Sequence, residues 1–422
     1  MAARHPLEVH LPRTSGRSSC PPHDHQHEHP AEEVRDMRRT TRARIAAVGV
    51  AAVALTGCTV TDEETPGQDP APGTTAEADG DLTPVTLQLQ WLTQAQFAGY
   101  YAALDQGYYA EEGLDVTIVP SGGDIVPQDA LANGEVDYAI AWVPKVLGSI
   151  EQGAQITNVA QIFERSATLQ VAFADSGITT VEDLEGRQIG SWGYGNEWEL
   201  FAGLNQAGVE DFEIVQQAFD MNALLSGDID AAQAMTYNEY AQLLEAENPE
   251  TGELYQPEDF TVIDWNEVGT AMLQDAIWAD AERLESDEDY QETTVAFLKA
   301  SLQGWVFARD NPEQAAEIVT AAGSTLGTSH QLWMTNEVNR LIWPSTTGGI
   351  GTVDPAAWDA TVAMALETSN ETGATIISSE PPENAYTNEF VERALAELEE
   401  EGVDVTGEQF EPIEVTLNPG GA

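Results

Sequence analysis

The chain has 422 residues, enough for two domains with cores of their own, and its 42% hydrophobic content is that of a soluble globular protein. Its 72 acidic residues face only 16 Lys and Arg, a formal charge of −56. That excess argues against a partner that needs a basic footprint, which excludes nucleic acid and an anionic membrane surface.

The first pattern is at the amino-terminal end. Met37-Arg38-Arg39-Thr40-Thr41-Arg42-Ala43-Arg44 is a positive run, and residues 45–55 are apolar but too few to span a bilayer as a permanent helix. The segment closes on Leu55-Thr56-Gly57-Cys58, which resembles the lipobox of bacterial lipoproteins. In that pattern Cys58 is lipidated after cleavage and becomes the first mature residue, tethering the protein without embedding its fold. Export signals normally begin a chain, so translation is expected to start at Met37, with residues 1–36 an upstream extension. The alternating His23, His25, His27 and His29 have a metal-binding composition, but they fall in that extension and are not expected in the working protein. The only cysteines are Cys20 and Cys58, so no disulfide or thiol chemistry is expected in the folded part.

Eight of the sixteen basic residues and six of the 72 acids precede Cys58. The remainder carries 8 against 66, a charge of −58, expected as a solvated acidic face. Residues 58–82 are rich in Pro, Gly, Thr and acids and read as a flexible linker.

Regular elements begin at residue 85. Residues 85–90 form a predicted strand leading into Trp91-Leu92-Thr93-Gln94. Phe97, Tyr100, Tyr101, Leu104 and Tyr108 then share one face of a helix. Residues 114–119 are a second strand, which completes a unit of βαβ size, with Gly107 and Gly113 at its turns. Ser121-Gly122-Gly123-Asp124 is a turn, and 126–133 a helix. Residues 136–141 form a continuous apolar strand of the kind buried in a parallel sheet, and Pro144 opens the next helix. Strands at 156–163 and 169–174 follow.

After Gly177 a second series begins, with strands at 187–192, 212–216 and 229–235 and helices at 196–207, 221–225 and 237–247. Strands at 261–264 and 276–279 return the chain to the first domain. The expected fold is α/β, with a split first domain (83–177 and 265–422) and an inserted second one (178–264). Helices over 289–310, 312–321, 329–341, 355–368 and 388–400 are expected to pack mainly on the outside of the first domain.

Trp91, the run Phe97-Ala98-Gly99-Tyr100-Tyr101-Ala102-Ala103, the segment Gly107-Tyr108-Tyr109-Ala110-Glu111-Glu112-Gly113-Leu114 and Val136-Asp137-Tyr138-Ala139-Ile140-Ala141-Trp142 occur in one order. Together they resemble the NMT1/THI5-like, SsuA-related solute-binding proteins of ABC importers, over residues 85–345. The resemblance implies a type II periplasmic-binding-protein fold with a ligand cleft and two crossover segments. It also implies a monomer outside the cytoplasmic membrane of a bacterium, anchored through Cys58, that passes a small molecule to an ABC permease and its ATPase.

Open α/β sheets bind ligands beyond the carboxyl ends of their strands. That rule directs Trp91, Gln94, Trp142, Trp192, Tyr194, Asn196 and Glu197 toward one cleft, with Asp220, Asn222, Tyr237, Asn238 and Glu239. Trp91, Trp142, Trp192, Tyr194 and Tyr237 offer π-faces to a flat heterocycle; the competing reading of each is a core position. Gly193 and Gly195 precede a helix start that would favour an anion. Glu197 and Glu199, however, fall in its first turn and should repel a phosphate or sulfonate. Glu197, Asp220, Asn222, Asn238 and Glu239 instead suit ring N–H, amino or hydroxyl groups, capping and solvent exposure being the alternative.

Gly193-Tyr194-Gly195-Asn196-Glu197-Trp198 fails the dinucleotide fingerprint at its last glycine, and no Gly-Lys-Ser/Thr phosphate loop exists. The chain is therefore not a transporter's ATPase. After Cys58 the only His is His330 and the only Lys are Lys145 and Lys299. This excludes a His-based metal site and leaves little for a Ser-His triad or a Schiff base.

The synthases of the thiamine pyrimidine among the resembling proteins carry a reactive His and a cysteine-rich motif, neither present here. No catalytic residue, metal or cofactor is expected, and a carboxylate-based hydrolase is the remaining enzyme alternative. Gln94-Ala95-Gln96-Phe97-Ala98-Gly99-Tyr100-Tyr101 and Asp220-Met221-Asn222-Ala223-Leu224-Leu225 look most like the branch that carries a thiamine-precursor pyrimidine or a riboflavin-like flavin. A sulfonate or taurine-type binding protein and a ligand-binding sensor are the alternatives.

Overall fold

The structure, a computed structural model, describes residues 82–123 and 125–422. The leader with Cys58, the histidines at 23–29, the linker through residue 81 and Asp124 lie outside the described residues.

Strand β1 (Thr83–Gln88) is followed by α1 (Ala98–Gln106), α2 (Tyr108–Glu111) and β2 (Leu114–Val119). Next come α3 (Pro127–Ala132), β3 (Tyr138–Trp142), α4 (Val143–Glu151) and β4 (Ile156–Gln161). The second series runs β5 (Thr168–Phe173), β6 (Gln188–Ser191), α5 (Trp198–Ala207), β7 (Glu213–Gln216), α6 (Asn222–Ser226), β8 (Ala231–Met235), α7 (Glu239–Leu244) and β9 (Phe260–Asp264). After α8 (Trp265–Val268) come β10 (Asp275–Asp280), α9 (Ala281–Ser286), α10 (Glu288–Asp310), α11 (Pro312–Ala321), α12 (Thr328–Ile342), α13 (Pro355–Glu367) and α14 (Glu389–Glu400).

These strands make two five-stranded mixed sheets of matching topology, β2-β1-β3-β10-β4 and β7-β6-β8-β5-β9. In each, three strands run parallel, and the strand that joins them to the far edge runs antiparallel to both of its neighbours. The apolar run at 136–141 accordingly pairs in parallel on one side only, with β1, while β10 lies antiparallel on the other. Both faces of β3 are buried, which is why its sequence shows no alternation.

Two expectations are corrected. The sequence places residues 168–173 in the first domain and lets 261–264 return to it, but β5 lies between β8 and β9 in the second sheet, so both strands belong there. The first crossing therefore falls between Gln161 and Thr168, not near residue 177. An apolar run predicts a buried strand, and nothing local says which sheet buries it. The helix from Phe97 to Tyr108 is also not continuous. Gly107, at φ +83°, ends α1 and starts α2, and Leu104 is 44% exposed on the outer side.

The largest apolar core lies under α1, α10, α11 and α12. Tyr138 of β3 stacks on Phe297 of α10 with ring centroids 4.3 Å apart and planes within 1°, adding about 1 kcal/mol to simple burial. Helices α1 and α10 approach at Gly99 and Gly304, where a side chain on either would strike the other helix. Asp287 caps α10 by accepting from the amides of Asp289 (3.1 Å) and Tyr290 (3.2 Å). Among the described residues no helix is long and apolar enough to cross a membrane.

Candidate functional site

A cavity of about 1210 Å³ opens where the carboxyl ends of β1, β3, β6, β7 and β8 face one another. Nine of the twelve residues expected from sequence line it: Trp91, Gln94, Trp142, Trp192, Tyr194, Asn196, Tyr237, Asn238 and Glu239. Three do not. Asp220 and Asn222 sit by a separate, shallower depression at the start of α6, where Asp220 accepts from the Asn222 amide at 2.9 Å. That bond closes a local turn before α6 and leaves both residues at this depression rather than in the cavity.

Glu197 does not line the cavity, and one of its carboxylate oxygens is buried without a hydrogen-bond partner among the described residues. Glu199 turns fully away. Its carboxylate accepts from the Met272 amide at 2.7 Å and the Ser166 hydroxyl at 2.9 Å. Burial pushes its pKa up to about 7 against those hydrogen bonds. The expected repulsion of an anion by this pair therefore lacks its geometry, because the helix turn carries Glu199 toward the second crossing.

The aromatic wall joins the two halves. Trp91, beyond β1, meets Phe219, beyond β7, with ring centroids 4.5 Å apart and planes at 55°. Phe219 in turn lies 6.2 Å from Trp192 at 22°. The Trp192 indole N–H is buried with no acceptor among the described residues. Tyr237 is buried, whereas Tyr194, at φ +55°, is 82% exposed on the rim.

Polar groups converge behind this wall. Asp275, 2% exposed at the head of β10, accepts from Gln90 Nε2 (2.7 Å) and Trp142 Nε1 (2.8 Å) on Oδ1, and from Gln96 Nε2 (2.9 Å) on Oδ2. Gln96 Oε1 accepts from Gln94 Nε2 at 2.8 Å. Burial raises the Asp275 carboxyl to about 6, with the three donors pulling the other way.

Lys145 reaches in from α4. Its Nζ donates to Asn196 Oδ1 at 2.8 Å and lies 4.9 Å from the Trp142 ring centroid. Burial lowers its pKa to about 8, against the pull of Glu197 and Asp275.

At the far end, Glu239 accepts from the Met235 amide (3.0 Å) and Asn238 Nδ2 (2.8 Å), and burial raises it to about 7. Asn238 Oδ1 lies 3.0 Å from His330 Nε2, whose other ring nitrogen faces Glu245 at 2.9 Å. His330, the one histidine among the described residues, thus braces a cavity residue from behind.

Sequence reasoning missed Gln90, Gln96, Lys145, Phe219 and Asp275. A usable signal existed for Asp275, an acid heading the apolar run Ala276-Ile277-Trp278-Ala279. Among the described residues no group of three His, Cys, Asp or Glu side chains could hold a metal ion.

Comparison with known proteins adds four findings. A family model described as NMT1/THI5 like matches residues 94–315. The formylaminopyrimidine-binding protein of Halalkalibacterium halodurans is 24% identical over 249 residues, 58% of this chain and 72% of that protein. The riboflavin-binding protein RibY of Chloroflexus aurantiacus is 25% identical over 285 residues, 66% and 77% of the two chains. Among solved structures, a periplasmic protein of Methylobacillus flagellatus described as the sulfonate-binding SsuA superposes with a TM-score of 0.53 at 18% identity. That match covers 80% of this chain and 99% of the other, and shows a shared fold.

Proposed function

Because the chain belongs to the NMT1/THI5-like family, we propose that it is the extracytoplasmic solute-binding component of an ABC importer, with a small aromatic heterocycle, a pyrimidine or a flavin, as cargo. The observation that carries the ligand class is the aromatic wall of Trp91, Phe219, Trp192 and Tyr237 beside a few fixed polar groups. Flat π-faces gain most from a flat ring, and the names of the two binding-protein relatives agree with that class.

The protein binds its cargo without turnover and presents it to a permease and its ATPase. Lipid on Cys58 holds it to the outer face of the membrane as a monomer. The crossings at 162–167 and 265–274 serve as the hinge about which the halves close. Fluorescence titration with riboflavin, an aminopyrimidine and taurine tests this reading, since four tryptophans line the cavity. Saturable quenching by riboflavin or the pyrimidine, with none by taurine, supports it. Loss or chemical change of the recovered ligand would instead favour a hydrolase.

Lys145 favours a second reading, a sulfonate-type cargo. Its ammonium is the one Lys or Arg charge among the described residues lining the cavity. Saturation by taurine alone would select it.

A further inference from the structure

We propose that Asp275 is a positioning residue that fixes the amide polarity of the cavity floor, so that the site selects a heterocycle edge that donates hydrogen bonds over one that only accepts them. This rests on the heterocycle reading and names the edge recognised.

A carboxylate offers only acceptors, and a primary amide has one accepting and one donating end. Gln90 and Gln96 both reach Asp275, at 2.7 and 2.9 Å, so each must turn its NH2 group toward it. The Trp142 indole, which can only donate, is a third donor at 2.8 Å. Gln96 is left with its oxygen for its other neighbour, and Gln94 must supply the NH2 at 2.8 Å. The sense of one carboxylate therefore passes through two amides. Turning Gln96 over would set its oxygen against the carboxylate and its NH2 against that of Gln94, and turning Gln94 over would set oxygen against oxygen.

The relay ends in oxygens. No donor among the described residues reaches Oε1 of Gln94 or of Gln90. Gln94 is only 4% exposed, yet neither oxygen is among the polar atoms sealed from solvent, and both side chains line the cavity. Two accepting oxygens thus open onto the space beside the aromatic wall. A ring bearing an amino or N–H group satisfies them, and a ring presenting only acceptors leaves them unpaired.

The test titrates the full chain with 4-amino-2-methylpyrimidine and its 4-methoxy counterpart, which differ in that one group. The wild type is expected to bind the amino compound at least about tenfold more tightly, the worth of a hydrogen bond that the methoxy group cannot make. In Asp275→Asn the new NH2 can face either glutamine oxygen, so the preference is expected to fall to within about threefold. An unchanged preference overturns the proposal. Gln94→Met, which removes one terminal oxygen and leaves Asp275 in place, is expected to weaken the amino compound alone. Equal weakening of both probes overturns it too.

A readout in the free protein separates the relay from the ligand class. Side-chain amide NMR signals of Gln90 and Gln96 and the indole signal of Trp142 are expected to move in Asp275→Asn, while that of Gln152 stays. Unmoved signals overturn the relay. Wild-type protein that binds neither probe nor riboflavin overturns the heterocycle reading and the edge named from it.

Discussion

Lys145 Nζ donates to Asn196 Oδ1 at 2.8 Å across the cavity, from the helix that follows β3 to the loop that follows β6. The two residues belong to different sheets' elements, so this bond closes one end of the space that a ligand would occupy.

Lys145→Gln discriminates the two cargo classes. A hydrogen bond to a charged group is worth about 1.5–3 kcal/mol, so loss of the ammonium should weaken an anionic sulfonate by about tenfold or more. A neutral pyrimidine should change by less than about threefold, since its contacts are to rings and amides. Titration of taurine and of the aminopyrimidine against both proteins reads the difference.

The Trp91–Phe219 contact is expected to act on binding more than on folding. Phe219 is 50% exposed, so Phe219→Ala removes little core. Loss of an aromatic face against a bound ring should cost about 1 kcal/mol or more, at least about a fivefold rise in Kd for an aromatic ligand. The urea midpoint should stay close to that of the wild type. A large drop in midpoint with unchanged Kd would show the ring to be structural.

Stability should fall as pH rises through neutrality. Burial raises Asp275 from 3.8 to about 6, and Glu199 and Glu239 from 4.5 to about 7. Between those pairs of values the folded state holds more protons than the unfolded. The contribution of these groups is complete below the unfolded values and is lost as pH rises through the folded ones. Each pH unit across the window is worth up to about 1.4 kcal/mol per group, and the acidic excess acts in the same direction. The urea midpoint at pH 5.5 is expected to exceed that at pH 8; a midpoint that climbs with pH over this interval would contradict the assignment.

Gly304→Ala tests how closely α1 and α10 must pack. Helix propensity favours alanine by about 1 kcal/mol. Its Cβ, however, would strike the Gly99 carbonyl oxygen and lie 2.8 Å from the Ala103 amide nitrogen, atoms of a backbone that cannot yield cheaply. Overpacking of this kind costs about 1–3 kcal/mol and more where backbone must move. A net loss of about 2 kcal/mol is expected in urea unfolding.

The order of elements was legible from the sequence because its signals are local. A continuous apolar run gave β3, and the periodic run beginning at Phe97 gave α1. Gly107 and Pro144 marked where helices end and begin. The strand-end rule brought nine candidate residues to the cavity, since it depends only on where a strand stops. It failed at Asp220 and Asn222, where a turn satisfied its own polar groups first. It failed at Glu197 too, and the separate helix-start argument misjudged Glu199, whose place in a helix turn does not reveal which neighbour receives its side chain.

Composition, charge and strand-helix alternation by themselves determined an acidic α/β protein with an aromatic cleft. Tertiary structure decided the polarity of that cleft. Asp275 lies opposite Trp142 only because β10 pairs antiparallel with β3, and Gln90 and Gln96 reach it from the far end of β1. Lys145 meets Asn196 only because two separate sheets face each other. Hydrogen-bond direction is set by partners distant in the chain, and among 66 acids no local pattern singles out the one that will be buried with three donors.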